Sequence, residues 1–157
     1  MNVYFSDMIV KELSPSCKLL YNKTDKIRYN LKLFHVRCPF GVEEFNKKLY
    51  LNVELKKDDI DHQTILKDIK LIETFLLKDV NPSMEKLSNI KNDILFKLTI
   101  PQISKKIIAK CYKDQSECNI YDVKGKTCDI IIEINSIWQF ENKTGVQFTV
   151  KTINILN

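Results

Sequence analysis

The chain has 157 residues, 44% hydrophobic and 29% charged, which suits one soluble domain, 1–157, with a sizeable core. Its 25 Lys and Arg against 20 Asp and Glu leave a net charge of +5, which permits polyanion affinity. The excess is lysine, with Arg28 and Arg37 the only arginines and Ala109 the only alanine, a bias that an AT-rich genome produces, so charge alone assigns no ligand. No apolar run is long enough to span a bilayer, and the first residues lack the basic-then-apolar form of a signal peptide. No membrane partner is therefore expected. The five cysteines are scattered, odd in number and without secretory context, so they are expected to be reduced thiols in an intracellular compartment.

In chain order, Val3–Lys11 is a candidate first strand, broken by Leu13-Ser-Pro-Ser16. Lys18–Tyr21 is a short strand and Asn22-Lys-Thr-Asp25 a turn. Ile27–Val36 alternates, with Ile27, Tyr29, Leu31, Leu33 and His35 on one face and Arg28, Asn30, Lys32, Phe34 and Val36 on the other. Pro39-Phe-Gly-Val ends that strand, since Pro39 removes a ladder donor and Gly41 permits an unusual turn. Leu49, Leu51, Val53 and Leu55 then point inward from the next strand, and Tyr50, Asn52 and Glu54 outward. A helix capped by Asp61 follows, its stripe carried by Ile65, Ile69, Ile72, Phe75, Leu76 and Val80 and stopped by Asn81-Pro82. A weaker helical phase runs over Ser83–Lys97.

The last third is β-rich, with Lys106–Lys113, a short run at Asn119–Val123, and a long hairpin from Cys128 to Leu156. Unbroken alternation places Ile130, Ile132, Ile134, Ser136, Trp138 and Phe140 on one face of its first arm. Val146, Phe148 and Val150 share a face of the second arm, and Gly145 is expected at the positive-φ position of the turn. Arms this long should twist or curl. Strands, one or two helices, then strands make an α+β chain, mainly antiparallel, and the order suits an OB-fold-like barrel or a strongly curved sheet.

Chemistry-bearing motifs are few. Cys111, Cys118 and Cys128 are too far apart for a zinc knuckle, and Cys38 with His35 is an isolated pair, so no metal is expected. No phosphate loop, nucleophile elbow or His-Glu-x-x-His occurs, and neither His35 nor His62 lies near a nucleophile in sequence. The chain is expected to be no enzyme and to need no cofactor. Phe34, Tyr50, Tyr112, Trp138, Phe140 and Phe148 lie on predicted strands, beside Lys32, Arg37, Lys110, Lys143 and Lys151. Flat rings with cations beside them are what single-strand binders use, but Phe140, Phe148 and Phe75 are expected to be core residues.

Two segments, Cys38-Pro-Phe-Gly-Val through Leu55 and Ile137-Trp-Gln-Phe through Lys151, give a Pro-Phe-Gly turn before a strand and a carboxy-terminal Trp-x6-Gly hairpin. This pattern resembles the single-stranded DNA-binding proteins of large eukaryotic DNA viruses, which resemble the phage replication-type oligonucleotide-binding barrels. The resemblance implies sequence-tolerant binding of single-stranded nucleic acid in viral DNA replication or repair, within host cytoplasm or nucleus or in the virion. Phosphates would then meet Lys32, Arg37, Lys110, Lys143 and Lys151, and bases would stack on Phe34, Tyr50, Tyr112 and Trp138. Phage members carry an acidic, Phe-tipped tail that recruits replication partners; Ile155-Leu-Asn157 offers no such segment, so that role is expected to be absent or to lie elsewhere. The alternative is a structural or interaction protein, such as a minor virion component, whose sheet serves a protein partner or self-association.

Overall fold

The computed structural model describes residues 8–14, 17–24 and 28–156. In chain order they form β1 (Met8–Ser14), β2 (Cys17–Asn22), β3 (Asn30–Cys38), β4 (Val42–Phe45), β5 (Lys48–Glu54) and α1 (Ile60–Leu77). Then come β6 (Glu85–Leu87), β7 (Ile90–Lys91), β8 (Leu95–Ile100), β9 (Gln102–Ile103), β10 (Lys106–Ile107), β11 (Lys110–Lys113) and β12 (Ser116–Glu117). A 3-10 turn at Ile120–Val123 precedes β13 (Lys126–Phe140) and β14 (Lys143–Ile155). The first expected strand falls partly outside the described residues, as does Ile27.

Five strands close into a ring. β3 pairs with β5, β5 with β8, β8 with β14, β14 with β13, and β13 with β3. Taken as ring strands one to five in sequence order, they are arranged 1-2-3-5-4, and only the β8–β14 junction is parallel. This is an α+β, mainly antiparallel, OB-fold-like barrel. Two junctions are thin, held by the single register pairs Arg37–Glu54 and Thr149–Thr99. The ring fills its interior with Leu31, Leu33, Leu51, Val53, Phe96, Leu98, Ile130, Ile132, Phe148 and Val150, all buried. Phe96 meets Phe148 edge to face at 5.1 Å between centroids, a favoured aromatic geometry.

The helix α1 lies between the second and third ring strands. It buries Ile65, Ile69, Ile72 and Leu76 as its stripe predicts. Its cap is Asp59 rather than Asp61: the Asp59 carboxylate accepts the His62 amide at 3.2 Å, and Asp61 sits in the first turn. The His62 ring is buried. Its Nδ1 accepts the Lys56 amide at 3.0 Å, and Nε2 donates to the Phe34 carbonyl at 3.2 Å, which ties the helix start to β3.

The helical phase of 83–97 is spent on strands instead. Asn92 and Asp93 both adopt positive φ, 56° each, and turn β7 back onto β8, while β6 pairs in parallel with β14. Asn and Asp tolerate that region, and a three-to-four-residue spacing of apolar side chains over so short a run also fits short strands with turns. The Lys106–Lys113 strand is likewise broken into β10 and β11, and Asn119–Val123 is 3-10 rather than extended. In β3 the phase flips at His35, which is exposed with φ 53°, its amide held by Asp129 Oδ1 at 2.9 Å. Leu31 and Leu33 are therefore buried before it, and Val36 and Cys38 after it.

Candidate nucleic-acid interface

Two hairpins stand over the outer face of the second and third ring strands. β4 and β5 are joined by Asn46–Lys47, both at positive φ (50° and 64°), the backbone that a type I′ turn requires. That turn sets Phe45 directly opposite Lys48, two residues before Tyr50 on the same side of β5. The second hairpin joins β13 to β14 through Glu141–Asn142, with Phe140 opposite Lys143 and Trp138 opposite Gly145. The positive φ of this turn belongs to Glu141 (55°), not to Gly145 as expected. Gly145 serves another purpose: a Cβ built on it would lie 2.7 Å from Trp138 Nε1 and 2.8 Å from Cε2 and Cζ2, so the missing side chain is where the indole sits.

A bulge explains how Trp138 and Phe140 reach this face. The β13–β14 register slips between Ile134 and Ser136, so Ile134 faces the core and Ile137 does so next. Unbroken alternation would have kept Phe140 with Ile134. In the structure Phe140 is 70% exposed, which corrects its assignment to the core; Phe148 is buried as expected and Phe75 half-buried.

Between the hairpins lies a groove of about 460 Å³. Phe45, Tyr50, Trp138 and Phe140 supply its rings, and Lys48 and Lys97 its charge. Thr99, Asn89, Val146 and Gln147 complete its lining with Leu87 and Ser88. Lys97 Nζ lies 4.5 Å from the centroid of the Tyr50 ring, a cation–π contact that holds the ammonium over the groove. Among the described residues no carboxylate lines it. Its far wall is fixed by the buried Glu73 of α1, which accepts from Ser88 Oγ (2.6 Å), Asn89 N (2.8 Å) and Asn89 Nδ2 (3.2 Å). Asn89 Nδ2 also donates to the Val146 carbonyl at 2.6 Å, so α1, the crosspiece made of β6 with Ser88 and Asn89, and β14 are one hydrogen-bonded unit.

Of the sequence-predicted site residues, Tyr50 and Trp138 line this groove, and Lys143 is exposed beside it on the β13–β14 tip. Lys32, Phe34, Lys110 and Tyr112 lie on the outer face of β11, β14, β13 and β3. There Lys110, Thr152, Ile131 and Lys32 follow one another across the strands. Lys32 and Phe34 also border a cleft of about 470 Å³ that contains Asp61. That cleft matches the groove in size but has two rings, Tyr29 and Phe34, against the groove's four, and an acidic wall, so lining rather than volume separates them. Arg37 lies 4.0 Å from Glu54, Lys110 3.4 Å from Glu117 and Lys151 3.8 Å from Glu133, and these carboxylates lower their claim on phosphate.

Sequence reasoning missed Phe45, Lys48, Lys97 and Phe140 as site residues. Lys48 could be read from the same alternation that turns Tyr50 outward, and Phe45 from a hairpin centred on Asn46–Lys47. Lys97 was hidden by the helical assignment of its strand, and Phe140 by the bulge.

The remaining chemistry is quiet. Burial and the Cys118 thiol, whose Sγ lies 3.2 Å away, push the Cys111 thiol up to about 12. Hydrogen bonding with Cys38, together with burial, raises Cys128 as well, so neither is an activated nucleophile. Among the described residues no group of three or more His, Cys, Asp or Glu could hold a metal ion, and no helix is long and apolar enough to cross a membrane.

The ring, its inserted helix and the groove on its second and third strands define an OB-fold-like protein. The chain is similar over 97% of its length to 96% of the single-stranded DNA-binding protein of bacteriophage Enc34, with a TM-score of 0.54 and 15% identity. A structure of the Enc34 protein in complex with ssDNA matches with a TM-score of 0.53, 13% identity and coverage of 96% and 95%. The bacteriophage T7 single-stranded DNA-binding protein gp2.5 matches with a TM-score of 0.55 and 9% identity, over 82% of this chain and 86% of that one. At such identities the likeness is one of fold. No protein-family model and no curated protein matches the sequence.

Proposed function

We propose that this protein binds single-stranded DNA without catalysis, in the groove between the β4–β5 and β13–β14 hairpins. The observation that carries this reading is the lining: four aromatic rings and two lysines, with no carboxylate among the described residues, supplied by the second and third strands of an OB-fold-like ring and by the two hairpins that flank them. That is the face, and those are the flanking loops, with which such barrels take up oligonucleotides. Unstacked bases would lie on Tyr50, Trp138, Phe45 and Phe140, while Lys48, Lys97 and Lys143 follow the phosphates. Every base has a π-face, so binding is sequence-tolerant. The fold neighbours named as single-stranded DNA-binding proteins, one of them held with ssDNA, support this reading.

The resemblance to proteins of large DNA viruses extends the proposal to replication or repair of a viral genome inside the infected cell, with 1–157 acting as one domain. A second reading, an interaction protein or minor virion component, rests on the outer face of β3, where Phe34 is 50% exposed beside Lys32. Titrating a labelled single-stranded oligonucleotide at two salt concentrations tests the first reading. Binding that weakens as salt rises, by about 0.7 in log–log slope for each phosphate contact, is expected. No binding at low salt leaves only the second reading.

A further inference from the structure

The groove does not end at its Asn89 wall. Leu87 and Ser88 border it on one side and on the other border a second depression of about 570 Å³, between the crosspiece β6 and the last two turns of α1. Lys86, from β6, and Lys78, at the helix C-cap, line this second depression. Both are exposed, and neither has an ion pair among the described residues. Lys70 lines it too but is held by Asp93 at 2.7 Å. Among the described residues that line it the one carboxylate, Glu73, is 6% exposed and occupied by Ser88 and Asn89. Lys78 also offsets the partial negative charge that a helix C-terminus presents. No aromatic residue among the described ones lines the second depression; Lys78 Nζ rests 4.4 Å from the centroid of the half-buried Phe75 ring beside it.

We propose that the single strand, having stacked its bases between the two hairpins, crosses Leu87–Ser88 and continues over Lys86 and Lys78. This inference rests on the reading of the first groove as the base-binding site. The continuation is a phosphate track: cations without a stacking platform hold the backbone whatever the bases are. The protein therefore has a short, aromatic-dependent core site and a longer, purely electrostatic extension. Single-strand sites on such barrels span about 4–16 nucleotides, so both ends of that range are informative probes.

The experiment uses fluorescein-labelled oligothymidylates of about 4 and about 16 nucleotides, titrated between 50 and 200 mM salt against the wild-type chain and a Lys78→Ala/Lys86→Ala variant. Two lost phosphate contacts flatten the salt slope on the long probe by about 1.4, so that wild type loses about sevenfold more affinity than the variant across that salt range. On the short probe the two proteins should coincide. Unchanged melting of the variant shows that folding is not the cause, and Lys78→Glu/Lys86→Glu should deepen the defect on the long probe alone. Equal slopes on the long probe overturn the extension while short-probe binding leaves the first groove standing. A defect of equal size on both probes also overturns it, because the lysines would then act in the first groove. Failure of wild type to bind either probe removes the underlying reading and the extension together.

Discussion

Trp138 lies against Gly145 across the β13–β14 hairpin, in space that any side chain at Gly145 would occupy. The pair is a seat and its occupant: backbone on one strand, indole on the other, and the groove above. Gly145→Ala should displace the indole, since the clash is with the ring itself and with no flexible chain end. Single-strand affinity is expected to fall by about 1–3 kcal/mol, the range for losing one stacking platform. Tryptophan fluorescence of the unliganded variant should shift as the sole indole moves, and a titration beside it reads the affinity. Unchanged emission and affinity would show that the ring does not depend on its glycine seat.

The groove and the outer face make opposite predictions. Trp138→Ala and Phe140→Ala should each weaken binding by about 1–3 kcal/mol with little change in salt slope, because a ring carries no ion contact. Lys97→Ala should flatten the slope by about 0.7 and also free the Tyr50 ring from its cation. Phe34→Ala, Lys110→Ala and Tyr112→Ala, on the outer face, should leave affinity essentially unchanged. Comparing these variants on one oligonucleotide under one buffer checks the assignment, and a loss confined to the outer-face set would transfer the site there.

The alternation of Leu49, Leu51, Val53 and Leu55 placed β5 correctly, because this strand runs without a bulge and one of its faces is core. The helix was equally legible from Ile65, Ile69, Ile72 and Leu76. What periodicity could not reveal was where it breaks. One residue of slip in β13, and a left-handed His35 in β3, reverse the facing of everything beyond them, and Phe140 changed sides for that reason. The apolar residues of 83–97 satisfied a helical spacing, yet their partners are long-range: β14 for β6, and β5 for β8. A site assembled from β4, β5, β6, β8, β13 and β14 is legible only once those pairings are known. Tyr50 and Trp138, named from the sequence, line the groove because each sits on a strand whose identity survived.

Glu73 is the polar residue on which the groove wall depends. It is buried on α1 and accepts three hydrogen bonds from Ser88 and Asn89. Glu73→Ala removes the acceptor of the half-buried Asn89 amide and of the exposed Ser88 hydroxyl, and losing hydrogen bonds of this kind costs about 0.5–1.5 kcal/mol each. A lowered melting temperature is expected, with weaker single-strand binding by the fraction that remains folded, because Asn89 also holds Val146 at the groove. Glu73→Gln keeps an acceptor oxygen and should recover part of both. Thermal melts paired with titrations of all three proteins make the comparison, and a stable Glu73→Ala with full affinity would show that the crosspiece stands without it.

Two aspartates of the same helix respond to pH with opposite signs. The Asp59 carboxylate is held below 3.8 chiefly by the His62 amide it caps. It therefore contributes stability that is present above 3.8 and lost as pH falls through its folded value. Asp68 is 7% exposed, its Oδ2 is buried without a hydrogen-bond partner, and burial raises its pKa above 3.8. Below 3.8 it is neutral folded and unfolded, and it imposes no electrostatic penalty. As pH rises from 3.8 to the folded value, the unfolded chain ionises first and stability falls; above the folded value the penalty is complete and constant. Asp68→Asn removes the charge while keeping the shape, so it should raise the melting temperature at pH 7. The gain should shrink as pH falls and vanish below 3.8, whereas Asp59→Asn should lower the melting temperature at pH 7 and converge with wild type in acid. Melting curves of the three proteins from about pH 2.5 to 7 separate the two effects. An Asp68→Asn gain that persists undiminished in acid would show that packing, and not the buried charge, is what the substitution relieves.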